Sequence, residues 1–178
     1  MRRRHRPLPT IWLMTDPRIV DLMAAIMQLP KGAGIIFRHY ELPPGPRRAL
    51  FRRVQRLANA RRHILLLADT PMMARQWGAD GAHSRSPYRS VGIRTVAVHN
   101  AREAVLAKRL GADLIFVSPV FATASHADAR GISAVGVGQI AGGQRRRTIA
   151  LGGMTAKRAK SLSALKLHGW AAIDAFRI

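Results

Sequence analysis

The chain has 178 residues, about one domain's length and enough to bury a sizeable core. It has no cysteine, which excludes disulfides, a thiolate nucleophile and cysteine-ligated metal sites, and no apolar run approaches the roughly 20 residues that span a bilayer. The formal charge of +21, carried by 25 arginines and five lysines, favours anionic ligands or partners, nucleic acid among them, although the basic residues fall in three separate clusters with few aromatics between them.

Residues 1–10 read as a basic arm. Met1-Arg-Arg-Arg-His-Arg6 leads into Pro-Leu-Pro rather than the apolar core of a secretory signal, so a cytoplasmic location is expected. Residues 11–178 read as a single domain. Ile11 to Asp16 is a short strand, and apolar spacing of three and four from Ile19 to Met27 predicts a helix over 17–29 with Asp16 as cap and Pro17 at its first position. Ile35 to Tyr40 is a second strand, followed by a Pro-rich connection and an arginine-bearing helix over 47–60. His63 to Asp69 is a third strand, with a short helix over 71–77 after it. A brief fourth strand ends at His83, and Arg85 to Gly92 is too short and too Pro-interrupted for a full helix. Arg94 to His99 and a helix over 101–110 make the fifth unit.

The run Leu114-Ile-Phe-Val117 is apolar throughout, as a strand buried on both faces should be, and it opens at Ser118-Pro119 into a loop of small hydroxyl residues ending at His126. Glycine and alanine over 127–144 predict a short or irregular helix. Arg147 to Gly153 is a seventh strand entering a Gly-Gly turn, a helix over 155–166 follows, and Gly169 to Ala175 is the eighth strand. Eight strands alternating with helical segments predict a minimal (β/α)8 TIM barrel lacking a full eighth helix. The side left open between the eighth and first strands suits a partner subunit or the basic arm, and a homodimer is expected.

In such a barrel the carboxyl ends of the strands face one mouth. That places Asp16, Arg38, Tyr40, Asp69, His83, His99, Ser118, Gly152, Gly153 and Asp174 there, together with Thr123, Ser125 and His126 of the sixth loop. Arg38 is a candidate anion fork, because a guanidinium presents several donors in one plane. Asp69 suits Mg²⁺, a hard cation that prefers carboxylate oxygen, or equally a helix cap before Pro71. Gly152-Gly153 ahead of a helix lets backbone N–H groups approach a phosphate, or forms only a tight turn. His99 and His126 are candidate acid/base groups, since imidazole can both give and take a proton.

Several motifs in order, Trp12-Leu-Met-Thr-Asp16, Gly78-Ala-Asp-Gly-Ala-His83, Val98-His-Asn-Ala-Arg-Glu-Ala104, Gly111-Ala-Asp113 with Ser118-Pro-Val-Phe-Ala-Thr123, and Ala150-Leu-Gly-Gly-Met154, resemble the thiamine phosphate synthase and thiazole tautomerase family over nearly the whole chain. The resemblance implies thiamine biosynthesis: a synthase that joins a hydroxymethylpyrimidine diphosphate to a thiazole phosphate with Mg²⁺ on the leaving diphosphate, and so a phosphorylated small-molecule substrate and no redox cofactor. It carries Arg38, Thr123, Gly152 and Gly153 over as substrate and phosphate contacts, Ser125 as a retained hydroxyl and Asp69 as one of two metal-binding acids.

Other positions depart from the family pattern. The strand-two Gln-x-Arg-x-Lys falls on Ile36, Arg38 and Tyr40, the second metal-binding acid on Tyr88, the loop lysine on His126 and a phosphate-binding serine on Asp174. The expectation is a family member with a reduced diphosphate and Mg²⁺ site. The alternatives are a metal-independent, tautomerase-like enzyme using His99 or His126, and a non-catalytic protein binding phosphometabolites or nucleic acid.

Overall fold

A computed structural model describes residues 7–89, 92–122 and 131–176. Eight strands form a closed barrel in sequence order: β1 Ile11–Met14, β2 Gly34–Phe37, β3 Ile64–Leu67, β4 Gly81–His83, β5 Ile93–Val98, β6 Leu114–Val117, β7 Thr148–Leu151 and β8 Gly169–Ala172. Every pairing is parallel, including β8 with β1. Among the described residues six α-helices lie between them: α1 Leu22–Gln28, α2 Pro44–Ala60, α3 Pro71–Trp77, α4 Ala101–Arg109, α5 Ala134–Ala141 and α6 Ala156–Ser161. This is the expected (β/α)8 architecture. No helix is long and apolar enough to cross a membrane among the described residues.

Strand alternation divides the apolar side chains between the two faces of the sheet. Trp12, Met14, Ile36, Leu66, Leu114, Phe116 and Ile149 fill the barrel interior. Leu13, Ile35, Phe37 and Leu67 point outward onto α1 to α3, while Val96, Val98, Ile115 and Val117 do the same for the second half. The interior depends on one small residue. A Cβ at Gly34 would lie 2.1 Å from the Trp12 ring, so only glycine on β2 leaves room for the indole that β1 sends inward.

Three connections differ from the expected helices or sharpen them. α1 starts at Leu22, and its cap is Asp21, which accepts from Ala24 N at 2.9 Å. Asp16 is not a cap: its carboxylate is held by Arg18 and Arg38 at the barrel mouth. Between β4 and β5 the described residues form no helix. There the Arg94 guanidinium is buried against the connection and donates to the carbonyls of Ser86, Tyr88 and Leu110. Among the described residues β8 is followed by the 3₁₀ turn Asp174–Phe176 alone, whose Phe176 stacks on Trp170 with ring centroids 5.6 Å apart and packs against both outer clusters. One aromatic side chain thus covers part of the face that a full eighth helix would cover.

Candidate functional site at the barrel mouth

A cavity of about 820 Å³ opens at the carboxyl ends of the strands. Its lining includes Asp16, Arg38, His99, Ser118, Gly152, Gly153 and Asp174, seven of the residues expected there, with Arg18, Thr155 and Arg158 added. Tyr40, Asp69 and His83 do not line it. Thr123, Ser125 and His126 lie outside the described residues.

One wall is charged. Asp16 accepts from the Arg18 side chain at 2.7 Å and from Arg38 Nη2 at 3.4 Å. Burial pushes the Asp16 pKa upward, but the Arg18 hydrogen bonds and the charges of Arg18 and Arg38 outweigh it, holding the carboxyl below its ordinary value. Arg18 is in turn held more firmly protonated by its hydrogen bond to Asp16, against the opposing effect of burial and with help from the charge of Asp174. The backbone is pinned at the same place, since Arg38 N donates to the buried Thr15 Oγ1 at 2.9 Å. Two cations and two carboxylates are therefore built into the ends of β1, β2 and β8.

The part of the lining that follows β7, the neighbour of β8, is a backbone cradle. Gly152 and Gly153 have φ of +97° and +58°, the left-handed region that favours glycine. A Cβ on Gly152 would lie 2.8 Å from Pro119 Cα and one on Gly153 2.5 Å from Ala122 O, so the turn after β7 lies against the loop after β6. Val120 N donates to Leu151 O at 2.8 Å and Phe121 N to Gly152 O at 3.1 Å, joining the two loops. Thr155 caps α6 by accepting from Arg158 N. Arg158 lies over the Phe121 ring at 4.8 Å and donates to the Gly153 carbonyl.

His99 sits at the end of β5. Its Nδ1 donates to Ser118 O at 2.8 Å, which assigns the proton to that nitrogen and leaves Nε2 as the acceptor of the neutral ring. The next residues form a reciprocal cap: Asn100 Oδ1 accepts from Glu103 N at 2.9 Å, while Glu103 Oε2 accepts from His99 N at 2.8 Å. The ring and its backbone are both fixed.

The remaining expected residues have other partners. Asp69 accepts from Arg47 Nη1 at 2.8 Å and from Thr70 N at 2.7 Å, while Thr70 itself caps α3. Arg47 also lies 5.2 Å from the centroid of the Tyr40 ring, and Tyr40 is 63% exposed. His83 shares a hydrogen bond with Thr95 Oγ1 at 2.8 Å and packs edge-on against Phe116 inside the barrel. Enclosure of the ring, with the positive charges of Arg38 and Arg85, lowers its pKa to about 4. Sequence reasoning missed Arg18, Arg47 and Arg158. Arg18 and Arg158 each follow a strand-end residue by a few positions, a signal too common in a chain this rich in arginine to single them out.

The thiamine monophosphate synthase family model matches residues 12–176. A curated relative, the thiamine-phosphate synthase of Geobacillus kaustophilus (strain HTA426), is 30% identical over 160 residues, which cover 81% of this chain and 72% of the relative. Among solved structures, a thiamine phosphate pyrophosphorylase from Pyrococcus furiosus superposes with a TM-score of 0.77 at 22% identity, over 93% of this chain and 86% of the other. The thiamine phosphate pyrophosphorylase from Bacteroides thetaiotaomicron gives 0.63 at 17% identity, over 94% and 84%. The fold likeness extends over nearly all of the barrel, and with the match over residues 12–176 the chain belongs to the thiamine monophosphate synthase family.

Proposed function

We infer that this protein acts in thiamine biosynthesis by binding a phosphorylated thiazole or pyrimidine at the barrel mouth. The observation that carries this reading is that the Arg38 guanidinium and the positive-φ Gly152-Gly153 turn line one cavity. A phosphate lodged between them would receive charge-assisted hydrogen bonds from Arg38 and Arg158, each contributing about 1.5–3 kcal/mol. Thr123 of the sixth loop is the further phosphate contact that the family pattern proposes. Asp174, where the family pattern has a serine, sits beside Arg18, and this cation offsets a carboxylate that would otherwise repel a phosphate.

Mg²⁺ fits poorly at Asp69. Both carboxylate oxygens already accept hydrogen bonds, one of them from a guanidinium, and Tyr88 stands where the family has its second acid. Among the described residues there is no group of three or more His, Asp or Glu side chains arranged for a metal ion. The chain's own residues bind and orient: Arg38 and the glycine turn hold the anionic group, and the loops after β6 and β7 wall off one side of the cavity.

A second reading rests on His99. A neutral imidazole with Nδ1–H anchored on Ser118 O presents Nε2 as a base, an arrangement suited to moving a proton on a bound heterocycle without metal. His126 and Ser125 are proposed as helpers from the sixth loop. The discriminating experiment supplies hydroxymethylpyrimidine diphosphate and thiazole phosphate, with Mg²⁺ or with EDTA, and follows thiamine phosphate. Formation above the uncatalysed background supports the transferase reading. No formation, with thiazole phosphate still bound in calorimetry, leaves the isomerase or binding reading.

A further inference from the structure

The face of α2 that points away from the barrel carries charge that the mouth does not use. Arg47, Phe51, Val54 and Ala58 are the buried positions and fix the inner side of this helix. At 100° per residue, Arg52, Arg53 and Arg56 then fall on the outward side and Arg48 on its flank, where it lies 5.9 Å from the Trp77 ring. All four are exposed. Arg48, Arg52 and Arg56 follow one another at i, i+4, so their Cβ atoms form a row with steps of about 6 Å. The outward positions beside them are Gly45, Ala49 and Ala60, small residues that leave the guanidinium groups as the projecting features.

A solvated helix face normally mixes both signs of charge, because like charges at i, i+4 destabilise the helix. α2 contains no Asp or Glu. Among the described residues no carboxylate pairs with Arg48, Arg52, Arg53 or Arg56, in contrast to Arg47, which Asp69 compensates. The helix thus carries repulsion along its outer face with no carboxylate partner among the described residues.

We propose that the Arg48-Arg52-Arg53-Arg56 face of α2 is a docking surface for the phosphodiester backbone of nucleic acid, read through charge and not base sequence. The chemistry is complementary. Each strand of a duplex places one phosphate charge about every 3.4 Å of axis, so long, mobile arginines about 6 Å apart can meet successive or alternate phosphates. Guanidinium groups suit this contact because their donors grip phosphate oxygens in pairs. Aromatic side chains do not interleave the row, which fits backbone contact and not base stacking.

The test measures binding of the full chain to labelled mixed-sequence RNA and duplex DNA by fluorescence polarisation across a salt series. Four phosphate contacts predict an affinity loss of about 100-fold between roughly 50 and 200 mM salt on DNA. Replacing Arg48, Arg52, Arg53 and Arg56 together by Gln should flatten the log–log salt slope on duplex DNA by about 3.6, whereas lysine at the same positions should keep most of it. A control with the same charge change, Arg102, Arg109, Arg146 and Arg147 to Gln, should leave the slope near that of the wild type. An equal loss in this control, a salt-insensitive slope, or binding to anionic lipid vesicles with none to either nucleic acid would overturn the proposal. If the fourfold glutamine variant fails to fold by circular dichroism, the double variant Arg52→Gln with Arg56→Gln decides: a slope on duplex DNA flattened by about 2 supports the docking surface, and a wild-type slope rejects it.

Discussion

Arg47 holds Asp69 through a 2.8 Å ion pair while also donating to the carbonyl of Arg38 at 2.9 Å and more distantly to that of Ala68. A single buried guanidinium thus ties the end of β2, the end of β3 and the start of α2 together just behind the mouth. Removing it would strand a carboxylate and two carbonyls, and Arg47→Ala should destabilise the protein by about 2–4 kcal/mol, toward the lower side of what breaking a buried pair costs because Asp69 keeps some water contact. Urea unfolding followed by circular dichroism measures this. Asp69→Asn should lose about 1–2 kcal/mol of stability with little change in ligand affinity; unchanged stability with an abolished Mg²⁺ response would instead make Asp69 a metal ligand.

His83 gives the protein an acid-sensitive core. Its folded pKa of about 4 lies below the ordinary 6.5, so the unfolded chain takes up the proton more readily than the native one. Its contribution is neutral above pH 6.5 and turns destabilising as pH falls from 6.5 toward 4, reaching on the order of 3 kcal/mol. His83→Asn keeps a partner for Thr95 without a titrating ring, and the fall in melting temperature over that window should become shallower. A pH profile identical to that of the wild type would show that the ring does not govern it.

Much of the fold was legible because its signals are local. The all-apolar Leu114–Val117 reads as a two-sided buried strand, and Pro71 marks the start of α3 over 71–77, although Thr70 and not Asp69 caps it. Seven expected mouth residues reached the cavity because strand ends in a closed barrel converge. What was not legible depended on distant partners. Asp16 reads as a cap from its place before Pro17, but its carboxylate is taken up at the mouth by Arg18 and by Arg38, 22 residues away just past β2, and Asp21 caps α1 instead. Asp69 looked open for a metal because nothing in its own neighbourhood announces Arg47. Arg94 shows the same limit, since a buried arginine spanning a helix-free connection resembles any other basic residue until its carbonyl partners are seen.

The glycine turn after β7 should be intolerant of even one methyl group. Gly152→Ala places a Cβ 2.8 Å from Pro119 Cα at a φ of +97°, and neither the proline backbone nor the turn can yield cheaply. The expected cost is about 1–3 kcal/mol of stability. The shift should also part the two loops and weaken thiazole phosphate binding in calorimetry at least tenfold. Wild-type affinity in a folded Gly152→Ala protein would remove this turn from the phosphate site.

Arg38 and Arg158 should separate anion binding from architecture. Arg158 is held by the Gly153 carbonyl and the Phe121 ring, and its loss leaves no buried carboxylate unpaired. Arg158→Ala should therefore unfold within about 1 kcal/mol of the wild type while losing about 10- to 100-fold in affinity for thiazole phosphate. Arg38→Ala removes one of the two cations on Asp16, so it should show both a loss of affinity and a modest loss of stability.

His99 distinguishes the two chemical readings. Asparagine at this position can keep a donor near Ser118 O, where the ring now places Nδ1–H, but it removes the basic Nε2 nitrogen. If the protein only binds and aligns phosphorylated substrates, His99→Asn should change the affinity for thiazole phosphate less than threefold and leave the pH dependence of turnover unaltered. If Nε2 moves a proton, the rate should fall by about 10²- to 10⁴-fold with KM nearly unchanged. Isotope exchange into the thiazole at saturating substrate reads that step directly, and its persistence in the variant would assign the proton transfer to another group.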